Sequence, residues 1–76
     1  MKRFGKKQYE IRVAGKHLFD VDRILLKHNL WRFVDSDDMV VGLHRDWNYI
    51  RLTARPARIA RVAEELNGVS RLVQIG

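Results

Sequence analysis

The sequence predicts a single compact α+β domain in which two helices pack on one face of a mostly antiparallel sheet, in the order β-α-β-β-β-α-β. Apolar and polar residues alternate along several short runs, which is the period of a strand, and two longer segments have helical spacing instead. The 76-residue chain has no internal repeat or linker that would separate a second domain. We expect residues 1–7 to form a flexible basic arm and residues 8–76 to form the domain.

The first strand is predicted by the alternation of Tyr9, Ile11 and Val13 with charged residues, and it ends at Gly15. A helix follows, because apolar residues then recur every three or four positions. These residues are Leu18, Val21, Ile24 and Leu25. Asn29 is suited to the left-handed conformation that ends many helices, so the first helix is expected to stop just before it.

Two short strands are predicted after the first helix. Trp31 and Phe33 share one face of the first of them, and residues 35–38, which include three aspartates, are predicted to form the turn that follows. The alternation resumes at residues 39–43, and residues 45–48 are predicted to form a second turn.

The strand before the second helix has two distinct faces. Ile50, Leu52 and Ala54 are predicted to point into the core, so the residues between them face outward. The outward residues are Tyr49, Arg51, Thr53 and Arg55.

The second helix is predicted to begin at Pro56, because proline is favoured at the first helical position. Its apolar residues form one stripe, which is expected to be buried. They are Ile59, Val62, Ala63 and Leu66. Asn67 and Gly68 are predicted to end the helix, and residues 71–75 to form a closing strand.

Positive charge is concentrated at the two ends of the chain. The formal net charge is +6, made up of +5 in residues 1–16, −2 in residues 17–50 and +3 in residues 51–76. A net positive charge also keeps a small protein in solution, but its separation into two blocks favours a polyanionic partner. DNA or RNA is the leading choice.

The second helix has its charges in the unfavourable order. Arg55, Arg58 and Arg61 lie near its start and two glutamates lie near its end, which opposes the helix dipole. Free backbone amides and guanidinium groups at a helix start form an anion site, so we expect these arginines to bind phosphate. Arg51 on the preceding strand extends the site. The N-terminal arm adds salt-sensitive contacts to the phosphate backbone. Its basic residues are Lys2, Arg3, Lys6 and Lys7.

Trp47 and Tyr49 are the aromatic residues best placed to stack on unpaired bases or to contact a protein. Trp47 lies in a predicted turn, and Tyr49 is on the same strand as Arg51. Three other aromatic residues are assigned to the core. They are Phe19, Trp31 and Phe33.

These residues favour a small nucleic-acid-binding accessory or regulatory protein. One alternative is a protein-interaction module or small inhibitor, which docks on an acidic protein or pairs exposed strand edges in a homodimer. Another is a small ribonuclease-like enzyme with His44 as its acid or base, since small ribonuclease toxins have the element order α-β-β-β-α and use a strand histidine. No second catalytic group is evident beside His44, so an enzyme is the less favoured interpretation.

Several kinds of site are not expected. The chain has no cysteine, which excludes disulfides and thiolate sites and favours a reducing, cytoplasmic setting. No two of the three histidines have the spacing of a metal pair, and the aspartates at 35–38 lack the rest of a calcium loop. We therefore expect no metal or cofactor. The basic N-terminus is not followed by an apolar run, and no stretch is long enough to cross a membrane, so neither a signal peptide nor a membrane partner is expected.

Overall fold

The computed structural model describes residues 5–37 and 47–76. In this part of the chain the elements follow the order β1-α1-β2-β3-α2-β4. Their bounds are β1 Lys7–Ala14, α1 Leu18–Lys27, β2 Val34–Asp37, β3 Trp47–Ala54, α2 Pro56–Val69 and β4 Arg71–Gln74. Two short 3-10 turns, Gly15–His17 and Trp31–Phe33, lie on either side of α1.

The four strands form one antiparallel sheet with the order β2-β3-β1-β4. This is the split β-α-β arrangement, in which the first and third strands occupy the centre of the sheet. β1 pairs with β3 along its whole length, with Ile11 opposite Ile50 and Tyr9 opposite Leu52. The predicted α+β class, with two helices packed against an antiparallel sheet, is confirmed.

The core lies between the helices and one face of the sheet. The strand residues predicted to point inward are buried together with most of the apolar stripes of both helices. Leu18 and Ile24 are partly buried against this core, and Ala63 is half-buried outside it. The fully or nearly fully buried apolar residues are Tyr9, Ile11, Val13, Val21, Leu25, Leu30, Ile50, Leu52, Ala54, Ile59, Val62 and Leu66. Among the described residues, no helix lies on the opposite face of the sheet, and its side chains alternate with the core side chains along β1 and β3.

The end of α1 follows the sequence prediction closely. Asn29 has a φ of 57° and takes the left-handed conformation. Its backbone N–H donates to the Leu26 carbonyl at 3.1 Å, and the N–H of Leu30 donates to the Leu25 carbonyl at 2.8 Å. These two bonds form a Schellman motif, which satisfies carbonyls that the helix leaves open. Leu30 is buried, so its side chain closes the end of the helix against the core.

The segment after this cap differs from the prediction. Residues Trp31–Phe33 form a 3-10 turn and not a strand, because the Phe33 N–H donates to the Leu30 carbonyl at 2.9 Å and continues the turn out of the cap. Val34–Asp37 was predicted to lie largely in a turn and is instead strand β2, which pairs with β3 through a bulge after Val34. The strand predicted at residues 39–43 lies outside the described residues.

Two further predictions are corrected at the ends of elements. Trp47 and Asn48, predicted in a turn, are the first residues of β3 and pair with Ala14 and Val13. The second helix does not end at residues 67–68. It continues through Val69, because that side chain packs against the core and holds one more half-turn in place.

Phe19 is not a core residue. Its side chain is 80% exposed, because its position on α1 lies about 100° around the helix from the neighbouring Leu18, which does pack against the core. Trp31 and Phe33 are partly buried and pack against the core, as expected. Within the described residues, no helix is both long and apolar enough to cross a membrane.

Candidate nucleic-acid interface

The start of α2 is built by residues that are unusual for a helix N-terminus. Arg55 occupies the N-cap position in an extended conformation, and its side chain makes no capping hydrogen bond. The first turn contains no acidic residue, and Arg58 lies within it. Arg55, Arg58 and Arg61 line one shallow depression beside this end of the helix. Guanidinium groups therefore gather at the positive end of the helix dipole, where carboxylates are the favoured side chains.

The Phe33 ring contacts Arg58 and also Arg32, an arginine to which the sequence alone did not point. The guanidinium carbon of Arg58 lies 5.2 Å from the centre of the Phe33 ring, and that of Arg32 lies 4.9 Å from it. Both distances are within the range of a cation–π interaction. Lys6 and Arg55 line an adjoining depression with Phe33 and Arg58. We call this set the Phe33 cluster. Its members are Lys6, Arg32, Phe33, Arg55, Arg58 and Arg61.

The positive charge of the Phe33 cluster is not neutralised by ion pairs within residues 5–37 and 47–76. In the part of the chain that the structure describes, none of its five basic side chains forms an ion pair with a carboxylate. Asp35 lies beside Lys6 and Arg32 and accepts a hydrogen bond from the Thr53 hydroxyl. The five cations line adjoining depressions, four of them together with Phe33, and Asp35 is the one carboxylate among the described residues that line these depressions. Such a site is suited to an anion.

The glutamate at the other end of α2 has a structural explanation. Glu65 is held by α1, since Lys27 Nζ lies 3.3 Å and His28 Nε2 lies 2.7 Å from its two carboxylate oxygens. The hydrogen bond with His28, and then that with Lys27, lowers the pKa of Glu65. Arg61 is one turn away on the same helix, but the Glu65 carboxylate is directed at α1 instead.

Arg51 is in a different environment from the other predicted arginines. It lies on the sheet face opposite the helices, where Glu10 accepts hydrogen bonds from Arg51 Nε at 3.0 Å and from Arg12 Nε at 2.8 Å. These two bonds lower the pKa of Glu10, with Arg12 the larger cause. Arg51 is about 13 Å along the strand from Arg55, at roughly 3.3 Å per residue, so it does not belong to the Phe33 cluster.

Trp47 and Tyr49 also lie on this helix-free side of the sheet. Their side chains are 52% and 41% exposed, and they line a shallow depression with Arg12 and Arg71. The sequence pointed to the two aromatic residues but to neither arginine. Arg12 and Arg71 are far apart in sequence, and there they contribute only to the net charge. Only the pairing of β1 with β4 shows that they are neighbours.

The remaining predicted residues are dispersed. Lys2 and Arg3 of the predicted arm, and the histidine at position 44, lie outside the described residues. Lys6 reaches the Phe33 cluster, whereas Lys7 is the first residue of β1 and pairs with Ala54. His17 lies 3.1 Å from Asp20. Within residues 5–37 and 47–76, no group of three or more potential ligands is placed to hold a metal ion.

No known family model matches this chain, and no curated protein or solved structure matches it either.

Proposed function

We propose that this protein binds nucleic acid and that the Phe33 cluster is its phosphate-binding site. The observation that carries the proposal is that Arg32 and Arg58 both contact the Phe33 ring, beside Arg55 at the start of α2, with no carboxylate ion-paired to them among the described residues. The proposed role is that of a small accessory or regulatory protein. The absence of cysteine supports a cytoplasmic setting for it.

The chemistry of the cluster matches a phosphate backbone. A guanidinium group donates two parallel hydrogen bonds to a phosphate, and the amides at a helix start add partial positive charge directed at the same anion. Contact with the Phe33 ring restricts the guanidinium groups of Arg32 and Arg58 before the ligand arrives. Less side-chain entropy is then lost on binding, which favours affinity.

The energetics of the free protein support the same proposal. Each cation near the start of α2 costs about 0.3–1 kcal/mol relative to a neutral residue at low salt, and an arginine at the N-cap forgoes about 1 kcal/mol of capping energy. Mutual repulsion among the five cations adds to this cost. A bound polyanion offsets the helix-dipole cost, the missing capping energy and the mutual repulsion, which gives a physical reason for grouping these cations.

The proposal is tested by the salt dependence of binding. Fluorescence anisotropy would measure the affinity for labelled single- and double-stranded DNA and RNA over a range of salt concentrations. Arg58→Glu and Arg61→Glu would be compared with Arg23→Glu, which makes the same charge change at an exposed position in the middle of α1. Each cluster variant should weaken binding and reduce the slope of log K against log salt by about 0.7–0.9, the value of one lost phosphate contact.

The control variant separates local contacts from net charge. Arg23→Glu should leave the slope close to that of the parent protein, because its side chain lies outside the cluster. If all three variants lose the same affinity, binding follows net charge alone and the assignment to the Phe33 cluster is wrong. Equal affinities for the parent and both cluster variants would also contradict it.

A protein partner is the second candidate function, and one observation favours it. Phe19 and Leu26 are seven residues apart on α1, so they lie on one side of the helix, and they are 80% and 62% exposed. Two large apolar side chains exposed together are typical of an interface. Sedimentation of the parent and of Phe19→Ala would test this. A dimer that the substitution dissociates would support self-association through α1, and a monomer in both cases would exclude it.

A further inference from the structure

The helix-free face of the sheet has its own arrangement of side chains. Arg71, Arg12 and Tyr49 form one row across β4, β1 and β3, since Arg12 pairs with Arg71 on one side and with Tyr49 on the other. Trp47 lies at the start of β3, next to this row, and its partner on β1 is Ala14. We call these four residues, Arg12, Trp47, Tyr49 and Arg71, the sheet site.

The row contains an unfavourable cross-strand pair. Arg12 and Arg71 are directly opposite each other in the register, and like charges at such positions repel. Glu10 bonds Arg12 and also Arg51, so its charge is shared. Arg71 forms no ion pair within the described residues. An anion held between Arg12 and Arg71 would remove this repulsion.

The aromatic side chains next to these arginines offer a flat surface. Trp47 is half exposed at the start of β3, and the methyl group of Ala14 opposite it is too small to cover an indole. Tyr49 is also exposed. Every nucleobase can stack on an exposed aromatic ring, because each has a flat π-face, and the phosphate beside the base can bind arginine.

β3 connects the sheet site with the Phe33 cluster. Tyr49, Arg51 and Arg55 occupy alternate positions on the outward side of the chain, and from Trp47 to Arg55 the strand rises by about 26 Å, at roughly 3.3 Å per residue. A flexible nucleic-acid strand laid along β3 meets phosphate-binding groups at both ends and Arg51 between them. A duplex presents its phosphates to such a track but keeps its bases stacked inside.

We propose that the sheet site binds an unpaired nucleobase and its adjoining phosphate, so that the partner of this protein is single-stranded nucleic acid. Trp47 and Tyr49 stack on the base, and Arg12 and Arg71 bind the phosphate. This inference rests on the proposed function, because it extends the same bound strand from the Phe33 cluster across the sheet.

The test uses three DNA probes of equal length, about 12 nucleotides, which is within the range that one small binding domain covers. The first is a single strand, the second is the same strand with its central sugars lacking bases, and the third is a duplex. Trp47→Ala should weaken binding of the first probe by about 5- to 150-fold, the effect of losing one base–aromatic stack, and leave the other two unchanged. Trp47→Phe should keep most of the affinity, because it keeps an aromatic face.

Two controls complete the design. Phe19→Ala removes an exposed aromatic residue from α1 and should change none of the three affinities. Trp31→Phe leaves Trp47 as the one tryptophan, and the Trp31 indole N–H has no hydrogen-bond acceptor in the described part of the chain, so this replacement breaks no such bond. The remaining fluorescence should then be quenched by the single strand and not by the strand without bases.

The outcomes separate this inference from the proposed function. If Trp47→Ala leaves single-strand affinity unchanged while Arg58→Glu lowers it, the sheet site is wrong and the Phe33 cluster stands. Equal losses on all three probes would show that Trp47 does not read a base, which also overturns the inference. If Arg58→Glu and Arg61→Glu change nothing on any probe, the proposed function itself fails, whatever Trp47 does.

Discussion

Replacing Arg55 with aspartate should stabilise the protein and weaken its binding of nucleic acid at the same time. Arg55 is the N-cap of α2, with φ −74° and ψ 141°, the extended conformation that a capping residue takes. An aspartate in this conformation accepts a hydrogen bond from the amide of Ala57 in the first turn, while the Arg58 amide already donates to the backbone carbonyl of residue 55 at 2.9 Å. Arg55→Asp therefore stabilises the start of α2 and at the same time removes a cation from the Phe33 cluster.

The expected size of the change follows from this geometry. Supplying the missing N-cap side chain should raise the free energy of unfolding by about 1 kcal/mol. Replacing a positive by a negative charge at the helix start adds some tenths of a kcal/mol in salt. A gain of about 1 kcal/mol raises the Tm of a domain of this size by roughly 4–8 °C. The same substitution should reduce the salt slope of binding by about 0.7–0.9, because one phosphate contact is lost.

Thermal unfolding followed by circular dichroism, together with anisotropy titrations at several salt concentrations, measures both effects. Arg23→Asp is the matched control. It makes the same charge change in the middle of α1, where it should lower stability by a few tenths of a kcal/mol through helix propensity and leave binding unchanged. A lower Tm for Arg55→Asp would refute the argument from capping. A higher Tm with unchanged binding would show that the arginine at this position serves no anion.

Four further predictions follow from the ion pairs and the ring contacts. Glu10→Gln should raise single-strand affinity, since it releases two guanidinium groups, and should lower stability by about 1 kcal/mol in chemical denaturation, as expected for a well-formed ion pair. The pKa values of Glu10 and Glu65 are below the usual 4.5, so the free energy of unfolding should be level above about that pH and should fall as the pH drops below it. Urea unfolding across this range should show Glu65→Gln to be less acid-sensitive than the parent, with Glu64→Gln, whose side chain is exposed, unchanged. Phe33→Leu keeps an apolar side chain but removes the ring that holds two arginines, so duplex and single-strand affinity should both fall by roughly twofold or more, as expected for a lost exposed cation–π contact.

The local features of the fold were predictable because they depend on near neighbours in sequence. The alternation along β1 and β3, the apolar stripes of both helices and the left-handed Asn29 all follow from spacing and conformational preference. One error lies where a tertiary contact outweighs local preference. Aspartates normally favour turns, yet residues 34–37 form a strand, because β3 offers them a partner.

The candidate sites were predictable only in part. The arginines at the start of α2 attract attention in the sequence because they oppose the helix dipole, and this signal needs no structure. The sequence did not mark Phe33 as a site residue, because its spacing from Trp31 indicated a core residue. Its ring does pack against the core, and the structure adds that Arg32 and Arg58 also contact it.

The amino-acid sequence by itself determined both helices, the alternating strands β1 and β3, and that basic residues gather at the start of α2. Tertiary structure alone decided which cations are neutralised. Glu10 forms ion pairs with Arg12 and Arg51, and Glu65 forms ion pairs with two side chains of the α1 end. The arginines that contact Phe33 form no ion pair with a carboxylate of the described residues. The physical reason is that an ion pair depends on distance in space, and strand pairing brings together residues such as Glu10 and Arg51 that are far apart in the chain.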